Sequence, residues 1–505
     1  MARDWLEHYS DSTGVSMARR KLEELLPVLN MSTSAVSQLS HRQSVPPRPS
    51  LPIRQNAVQG NPNIEAEAGS LSSLHIKEDA SNSDLTRICA ELLIPGRGDP
   101  TKDAAVIISS NSKKIVFVGK QSDVPNKYTA CPTIYVPYIL PGLWDCHCHF
   151  TGATSLKLSE IARLNMVTAG ARLARSAADT LNAGFTSVRD LGGYAPEIAV
   201  AIEEGTIPGP NIYSAGAAIS QTAGHGDFFD IPAGWVWQCS GVARNDMNVG
   251  TSALCIADGV DECRKAVRLQ IRRGAKVIKV FASGGVLSIA DNPLYQQFSD
   301  EELKVIVEEA RRMHRVVAAH VHGKEGIMAA LNAGCKTLEH GTYLDEEAMN
   351  LMKEKEAILI ATRTITKEAL KNKDLLSPES RAKMVEIAKT GERMYKKAIK
   401  SGVKIALGTD LGVSIPGLGL SHGNNGGELA YAVEAGMTPL EAIEAATANA
   451  QETLGPQAPL SGQIKEGYDA DIIAVVSNPL EDIDVFKDAK NVSHVWKGGK
   501  LFKSP

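Results

Sequence analysis

The chain reads as an α/β protein: a (β/α)8 TIM barrel in its middle and a small composite β-sandwich domain formed from both flanks. Three observations carry that expectation. Between residues 139 and 455, four helical runs end in Gly and pass at once into an apolar strand: "LNAGFTSVRD", "IRRGAKVIKV", "LNAGCKTLEH" and "IKSGVKIALGTD". Eight strand-like runs there alternate with helical ones, which implies a parallel sheet. Short β-rich runs stand on both sides of that stretch.

Each element has its own local reason. Gly just past a helix end takes the left-handed conformation without steric cost, so the four Gly-strand junctions mark helix ends. Ser299 with Glu302, and Thr438 with Pro439 and Glu441, are capping-box starts. The eight strands are "GLWDCHCHF", "TSVRD", "NIYSAG", "KVIKVFAS", "VVAAHVH", "TLEH", "ILIATR" and "KIALGTD". An open doubly wound sheet is the competing arrangement, but no Gly-rich dinucleotide fingerprint follows the first strand. Residues 83–138 carry "RICAELLI", "AAVIISS", "KIVFVG" and "TIYVPYI", and residues 456–505 carry "ADIIAVVSNP" and "VSHVWKGGKLF". Residues 1–82 are rich in Ser, Pro, Gln and Asn and read as a disordered extension, with one short helix in "MARRKLEELLPVL".

Composition narrows the function classes. A chain of 505 residues is too long for one ordinary core. A net charge of −4 without a dense basic stripe argues against a nucleic-acid partner. No apolar run approaches the roughly 20 residues of a membrane helix. The eight cysteines include no CxxC pair, which speaks against a disulfide framework or a zinc ribbon. The N-terminus lacks the apolar stretch of a secretory signal, so the cytoplasm is the expected location.

The chemistry collects where a barrel places its active site, at the C-terminal strand ends. "DCHCHF" offers His147 and His149, one residue apart. Strand alternation puts Asp145, His147 and His149 on one face and Cys146 and Cys148 on the other, packed toward helices. The His-x-His pair alone fits either a metal site or two buried, hydrogen-bonded histidines. His320, His340 and Asp410 at matching strand ends tilt it toward a divalent transition metal such as zinc. Lys279 lies in the apolar "KVIKVFAS", where a buried ammonium is costly. Either it snorkels out at the strand end, or its amine takes up carbon dioxide and becomes a carbamate able to bridge two metals.

This ligand pattern resembles the amidohydrolase superfamily over roughly residues 84–505. "QTAGHGD", "IKVFASGGV", "AHVHG" and "LEHG" are similar to its imidazolonepropionase-like and Xaa-Pro dipeptidase group. "PGLWDCHCHF", "CIADGV", "HVHGKEGIMAA" and "HVWKGGKLFK" resemble the fungal ochratoxinases within it. The resemblance implies two divalent ions, one on His147, His149 and Asp410 and one on His320 and His340, bridged by N6-carboxylated Lys279. It implies a metal-bridging hydroxide that attacks an amide carbonyl, with Asp410 as general base. The substrate would be a small-molecule amide, an N-acyl amino acid, with ochratoxin A, cleaved to release phenylalanine, as leading candidate. A dipeptidase, a cyclic amide or lactone hydrolase and a non-catalytic scaffold are the alternatives. The resemblance also implies a homo-oligomer, an octamer in the nearest case. His225 and His322 are candidates for contacting the oxyanion or substrate, or else for hydrogen bonding behind the ligands. Arg363 is a candidate for a substrate carboxylate, or for a structural salt bridge. His422 lies in "LGVSIPGLGLSHGNNGGEL", a loop similar to the broader dipeptidase group, and is expected to reach the mouth of the site.

Overall fold

A computed structural model describes residues 84–242, 253–415 and 417–505; the extension read at 1–82 lies outside the described residues. In chain order the strands are β1 (Leu85–Leu93), β2 (Thr101–Ser109), β3 (Ile115–Lys120), β4 (Thr133–Pro141), β5 (Leu143–Ala153), β6 (Phe185–Asp190), β7 (Asn211–Ser214), β8 (Ala218–Ser220) and β9 (Leu254–Ile256). They continue with β10 (Ile278–Phe281), β11 (Val317–Val321), β12 (Thr337–His340), β13 (Ile358–Ile360), β14 (Leu411–Val413), β15 (Ile472–Val475), β16 (Val492–Lys497) and β17 (Lys500–Lys503).

Strands from both flanks share one seven-stranded sheet, ordered β17-β16-β15-β4-β1-β2-β3. Its seam is the antiparallel pairing of β15 with β4, from Ile472 opposite Pro141 to Val475 opposite Tyr138. Between the flanks, two parallel sheets run β13-β12-β11-β10-β8-β9 and β14-β5-β6-β7. The expected strand "KIALGTD" is not a regular ladder strand, yet it joins the two. Ala406 N donates to Leu359 O of β13 at 3.1 Å, and Cys146 N of β5 donates to Leu407 O at 2.9 Å. On the other side Lys276 N donates to Ser214 O of β7 at 2.8 Å. With helices between successive strands, this is a TIM-barrel-like α/β fold.

Local signals landed where the residues put them. Gly184, Gly274, Gly334 and Gly402, the four junction glycines, all have positive φ. Both capping boxes form, Ser299 with Glu302 and Thr438 with Glu441. Among the described residues no helix is long and apolar enough to cross a membrane.

One expectation fails. Cys146 and Cys148 do not share a face. Cys148 packs with Leu173 and Ala177 of the helix Met166–Asn182, as expected. Cys146 packs instead in a cluster with Trp144 of its own strand and with Ala318, Ile360 and Ala406. The register of β5 on β6 shifts between Asp145 and Cys148, and such an irregularity reverses the alternation beyond it. Asp145 accordingly does not join the two histidines. Its carboxylate accepts from Thr409 Oγ1 at 2.6 Å and Asn425 Nδ2 at 2.7 Å, tying the 409 segment to β5.

Candidate metal centre

The strand ends deliver five imidazoles, one carboxylate and one amine to the same depth of the molecule. His147 is 1% exposed. Its Nδ1 lies 2.8 Å from Glu339 Oε2 and its Nε2 3.4 Å from Asp410 Oδ1. His149 Nδ1 is 2.8 Å from the Gly192 carbonyl, so it donates there, and its Nε2 is 3.2 Å from the same Asp410 Oδ1. His322 and His340 follow suit, with Nδ1 at 2.7 Å from Thr342 Oγ1 and from Thr362 Oγ1. Pinning one ring nitrogen on an outer partner fixes the tautomer and orients the other nitrogen inward, as metal-binding histidines require.

The donor set tests the fit of a cation directly. With both Nδ1 atoms committed outward, two Nε2 atoms converge on one carboxylate oxygen, a donor set that fits a cation held between them. The ligand atoms of His147, His340 and Asp410 lie within 4.8 Å of one another, and so do those of His320, His322 and His340. His340 belongs to both sets. Two of these ligands and one brace sit at backbone corners: His340 has φ 70°, Asp410 φ 60°, and Thr362, which braces His340, φ 46°. Left-handed non-Gly residues are uncommon and are held only where surrounding structure over-determines them.

Electrostatics separate the ligands. Burial pushes His320 and His340 well below the usual imidazole range and His322 down to about 3, with neighbouring imidazoles adding to the effect. His149 moves up, because its contact with Asp410 outweighs burial. Burial would raise Asp410, but His147 and His149 hold it well below the carboxylate range. Lys279 is 1% exposed, and burial lowers its amine to about 8 against the pull of Glu339 and Asp410.

Beneath His147 lies a brace that sequence reasoning missed. Arg189 is fully buried; its Nη2 donates to Glu339 Oε1 at 2.8 Å and its Nε to the Cys146 carbonyl. Burial opposes ionisation of Glu339, yet Arg189 and His147 hold it at about 2. The signal was faint: "TLEH" shows Glu339 beside a ligand, but nothing in sequence pairs it with Arg189, 150 residues earlier.

The remaining candidates divide. His225, His322 and Arg363 line one cavity with the ligands and Lys279, a space of about 1210 Å³ counting its open mouth, walled by Leu156, Phe281, Ile365, Met384 and Ile387. Arg363 opens a helix whose start is capped by Glu428, which accepts from Arg363 N at 2.8 Å and Thr364 N at 2.7 Å. Its guanidinium reaches the Ala388 carbonyl at 3.4 Å and forms no ion pair among the described residues. His422 does not reach the mouth. It sits behind His149, its Nε2 3.2 Å from the His149 carbonyl, and stacks on Phe150 at 4.5 Å. The glycine-rich loop that was expected to carry it outward folds back over β5. Asp190 is structural, accepting from Phe150 N at 2.7 Å and Ser214 Oγ at 2.8 Å.

A family model, the amidohydrolase family, matches residues 138–502. The chain belongs to the amidohydrolase family. It is a hydrolase acting on amide bonds, and the family generally binds divalent metal. This amidohydrolase is 56% identical to an ochratoxinase of Aspergillus niger over 428 residues, 83% of this chain and 87% of the relative. The crystal structure of A. niger ochratoxinase matches with a TM-score of 0.79 at 55% identity, covering 84% of this chain and 96% of that one. A Xaa-Pro dipeptidase with methionine bound in its active site matches with a TM-score of 0.72 at 33% identity, covering 83% and 100%.

Proposed function

We propose that this amidohydrolase cleaves the amide bond of an N-acyl amino acid, with ochratoxin A, split to release phenylalanine, as the leading substrate. The observation that carries the proposal is the cavity itself: ionised Asp410 and inward-facing imidazoles at its floor, apolar walls, and the buried guanidinium of Arg363 on its side. Apolar walls suit an aromatic acyl group and side chain, and a buried arginine that forms no ion pair among the described residues suits the free carboxylate of the amino-acid half. The likeness to the A. niger ochratoxinase supports the same substrate.

His147, His149, Asp410, His320, His322 and His340 would hold two divalent ions, zinc by their ligand chemistry, and Lys279 would join them as a carbamate formed from its neutral amine. Bound ions of this kind lower the pKa of water toward neutrality and polarise a carbonyl. The chain's own part is positional and protolytic. Asp410 Oδ1 takes a proton from the attacking water and returns it to the leaving nitrogen. Glu339 and Arg189 hold the His147 ring, and the apolar wall excludes bulk water from the reacting bond. In this proposal the two parallel sheets close as one (β/α)8 barrel over residues 139–455. Segments 83–138 and 456–505 form a composite β-sandwich domain, and the working state is a homo-oligomer.

The test is product release. Zinc-replete protein is incubated with ochratoxin A and free phenylalanine is assayed, with Asp410→Asn as control. Release by the wild type alone is expected. No release from protein that retains its metals overturns the toxin assignment. A Xaa-Pro dipeptidase is the second possibility, favoured by the structural match to that enzyme, and prolyl dipeptides in the same assay would reveal it.

A further inference from the structure

The helix Arg363–Lys371 starts without a cap of its own. Thr362 stands at the cap position, but its hydroxyl meets His340 Nδ1 at 2.7 Å. Buried N–H groups of a first helical turn then need an acceptor from elsewhere. Glu428 supplies it from 65 residues further along the chain. Its two oxygens take Arg363 N at 2.8 Å, Thr364 N at 2.7 Å and Thr364 Oγ1 at 2.7 Å. Glu428 is 2% exposed and lies in the first turn of another helix, Gly427–Glu434. Two helix N-termini thus share one buried carboxylate, and a negative charge is favoured at both.

This division of labour leaves Arg363 unclaimed. Three carboxylates, those of Glu428, Glu392 and Glu434, act on its guanidinium through space. None of them bonds to it among the described residues. Glu428 spends both oxygens on the helix start, Lys396 Nζ holds Glu392 at 2.8 Å, and Lys367 Nζ holds Glu434 at 2.8 Å. Of its five N–H donors the guanidinium uses one, from Nη2 to the Ala388 carbonyl at 3.4 Å. Nε and Nη1 have no hydrogen-bond partner among the described residues, and neither is sealed from solvent. An arginine stays charged in a protein, so a cation with open donors faces the cavity it lines.

Its seat is made by Gly391, a buried glycine inside the helix Pro378–Lys400. A Cβ there would stand 3.1 Å from Arg363 Nη1 and 3.9 Å from Thr342 Oγ1. Thr342 lines the same cavity and braces His322. Gly is the poorest helix former after Pro, yet here its missing side chain gives the guanidinium room between this helix and the Thr342 wall.

We infer that Glu428 is a positioning residue for substrate recognition: it anchors the first helical turn so that the Arg363 guanidinium, seated over Gly391, takes the free carboxylate of the amino-acid half. The inference rests on the amide-hydrolase proposal above and narrows its substrate class to N-acyl amino acids with an unblocked α-carboxylate, in preference to their carboxamides. Arginine recognises a carboxylate through paired, directional N–H donors, so a displaced helix start costs recognition even with the charge kept.

The test compares N-benzoyl-L-phenylalanine with N-benzoyl-L-phenylalaninamide on zinc-loaded protein, with benzoate release as the assay. Wild type should prefer the free acid. Glu428→Gln puts an amide NH2 where an acceptor is needed. Its acid-to-carboxamide ratio of kcat/KM should fall about tenfold, through a raised KM for the acid, the scale of one charge-assisted hydrogen bond. Gly391→Ala, a change that favours the helix itself, should lower the ratio less, by crowding Nη1. In an Arg363→Met background neither change should move the ratio further, since both act through the guanidinium. Metal content should stay at the wild-type level. Should Glu428→Gln fail to fold, Gly391→Ala decides. No preference for the acid in wild type, an unchanged ratio in the variants, equal losses on both substrates, a further fall in the Arg363→Met background, or loss of metal would overturn the inference and leave amide hydrolysis standing. Metal-loaded wild type that releases neither benzoate from these amides nor phenylalanine from ochratoxin A would sink the amide-hydrolase proposal, and the inference with it.

Discussion

On β5, His147 and His149 lean on carboxylates: Glu339 behind one ring and Asp410 between both. At the end of β11, His320 and His322 lean on neutral groups, the Gly284 carbonyl at 3.2 Å and the Thr342 hydroxyl. The two His-x-His motifs share a sequence pattern, yet His149 is raised while His320 and His322 are lowered. The difference teaches that a motif supplies the ligand atom and its surroundings decide the charge. A carboxylate partner makes the imidazole a better base and a better metal donor; a hydroxyl only aims it.

The largest break in this contrast is Asp410→Asn, which takes from the β5 pair the charge that defines it. It should lower kcat about 10³-fold, the usual worth of a positioned general base, in steady-state assays on metal-loaded protein. Glu339→Gln comes next. It leaves His147 aimed but uncharged behind, and metal affinity measured by competition with a chelator should weaken about 10- to 100-fold.

Acid titration of metal-free protein sharpens the contrast without mutating the carboxylates. His320, His322 and His340 are neutral in the fold but protonate in the unfolded chain near 6.5, so the unfolded state binds more protons below that pH. Their stabilising contribution is present above 6.5 and is lost as pH falls toward about 3 for His322, up to about 1.4 kcal/mol per pH unit for each ring. His149 works the other way: its contribution is present below 6.5 and lost as pH rises through its raised folded value. The Tm of chelated protein should therefore drop between pH 7 and pH 5. His322→Gln should flatten the slope, and His149→Asn should steepen it. The smallest effect is Thr342→Val, which removes one neutral hydrogen bond behind His322. It should cost about 1 kcal/mol in denaturant unfolding and leave the β5 side unaffected.

How far these features could be read in advance follows from chain locality. Helix ends and starts were legible because one or two residues determine them: Gly at a left-handed position, or a hydroxyl three residues before a Glu. Ligand histidines were legible because each occupies the end of an apolar run. Strand alternation misled at Cys146, where a shifted register turned the side chain inward. At β12 the failure is instructive. Glu339 and His340 are adjacent and should face opposite ways, yet both serve the centre, because the positive φ of His340 breaks the alternation. The Arg189–Glu339 pair and the Glu428 cap on Arg363 join residues distant in sequence, with no periodicity to announce them. His422 was misplaced because a glycine-rich loop carries no directional information of its own.

The left-handed corners at His340, Thr362 and Asp410 bear on how such a protein can diverge. The residue that turns the chain is also the residue that aims the ligand or its brace, so aim is settled before the loop begins. Residues inserted after Asp410 would lengthen a wall of the cavity and leave the carboxylate where it is. Substrate range can then drift through loop exchange while the chemistry is inherited intact, and mutations at the corners themselves, above all to β-branched residues, would be purged first.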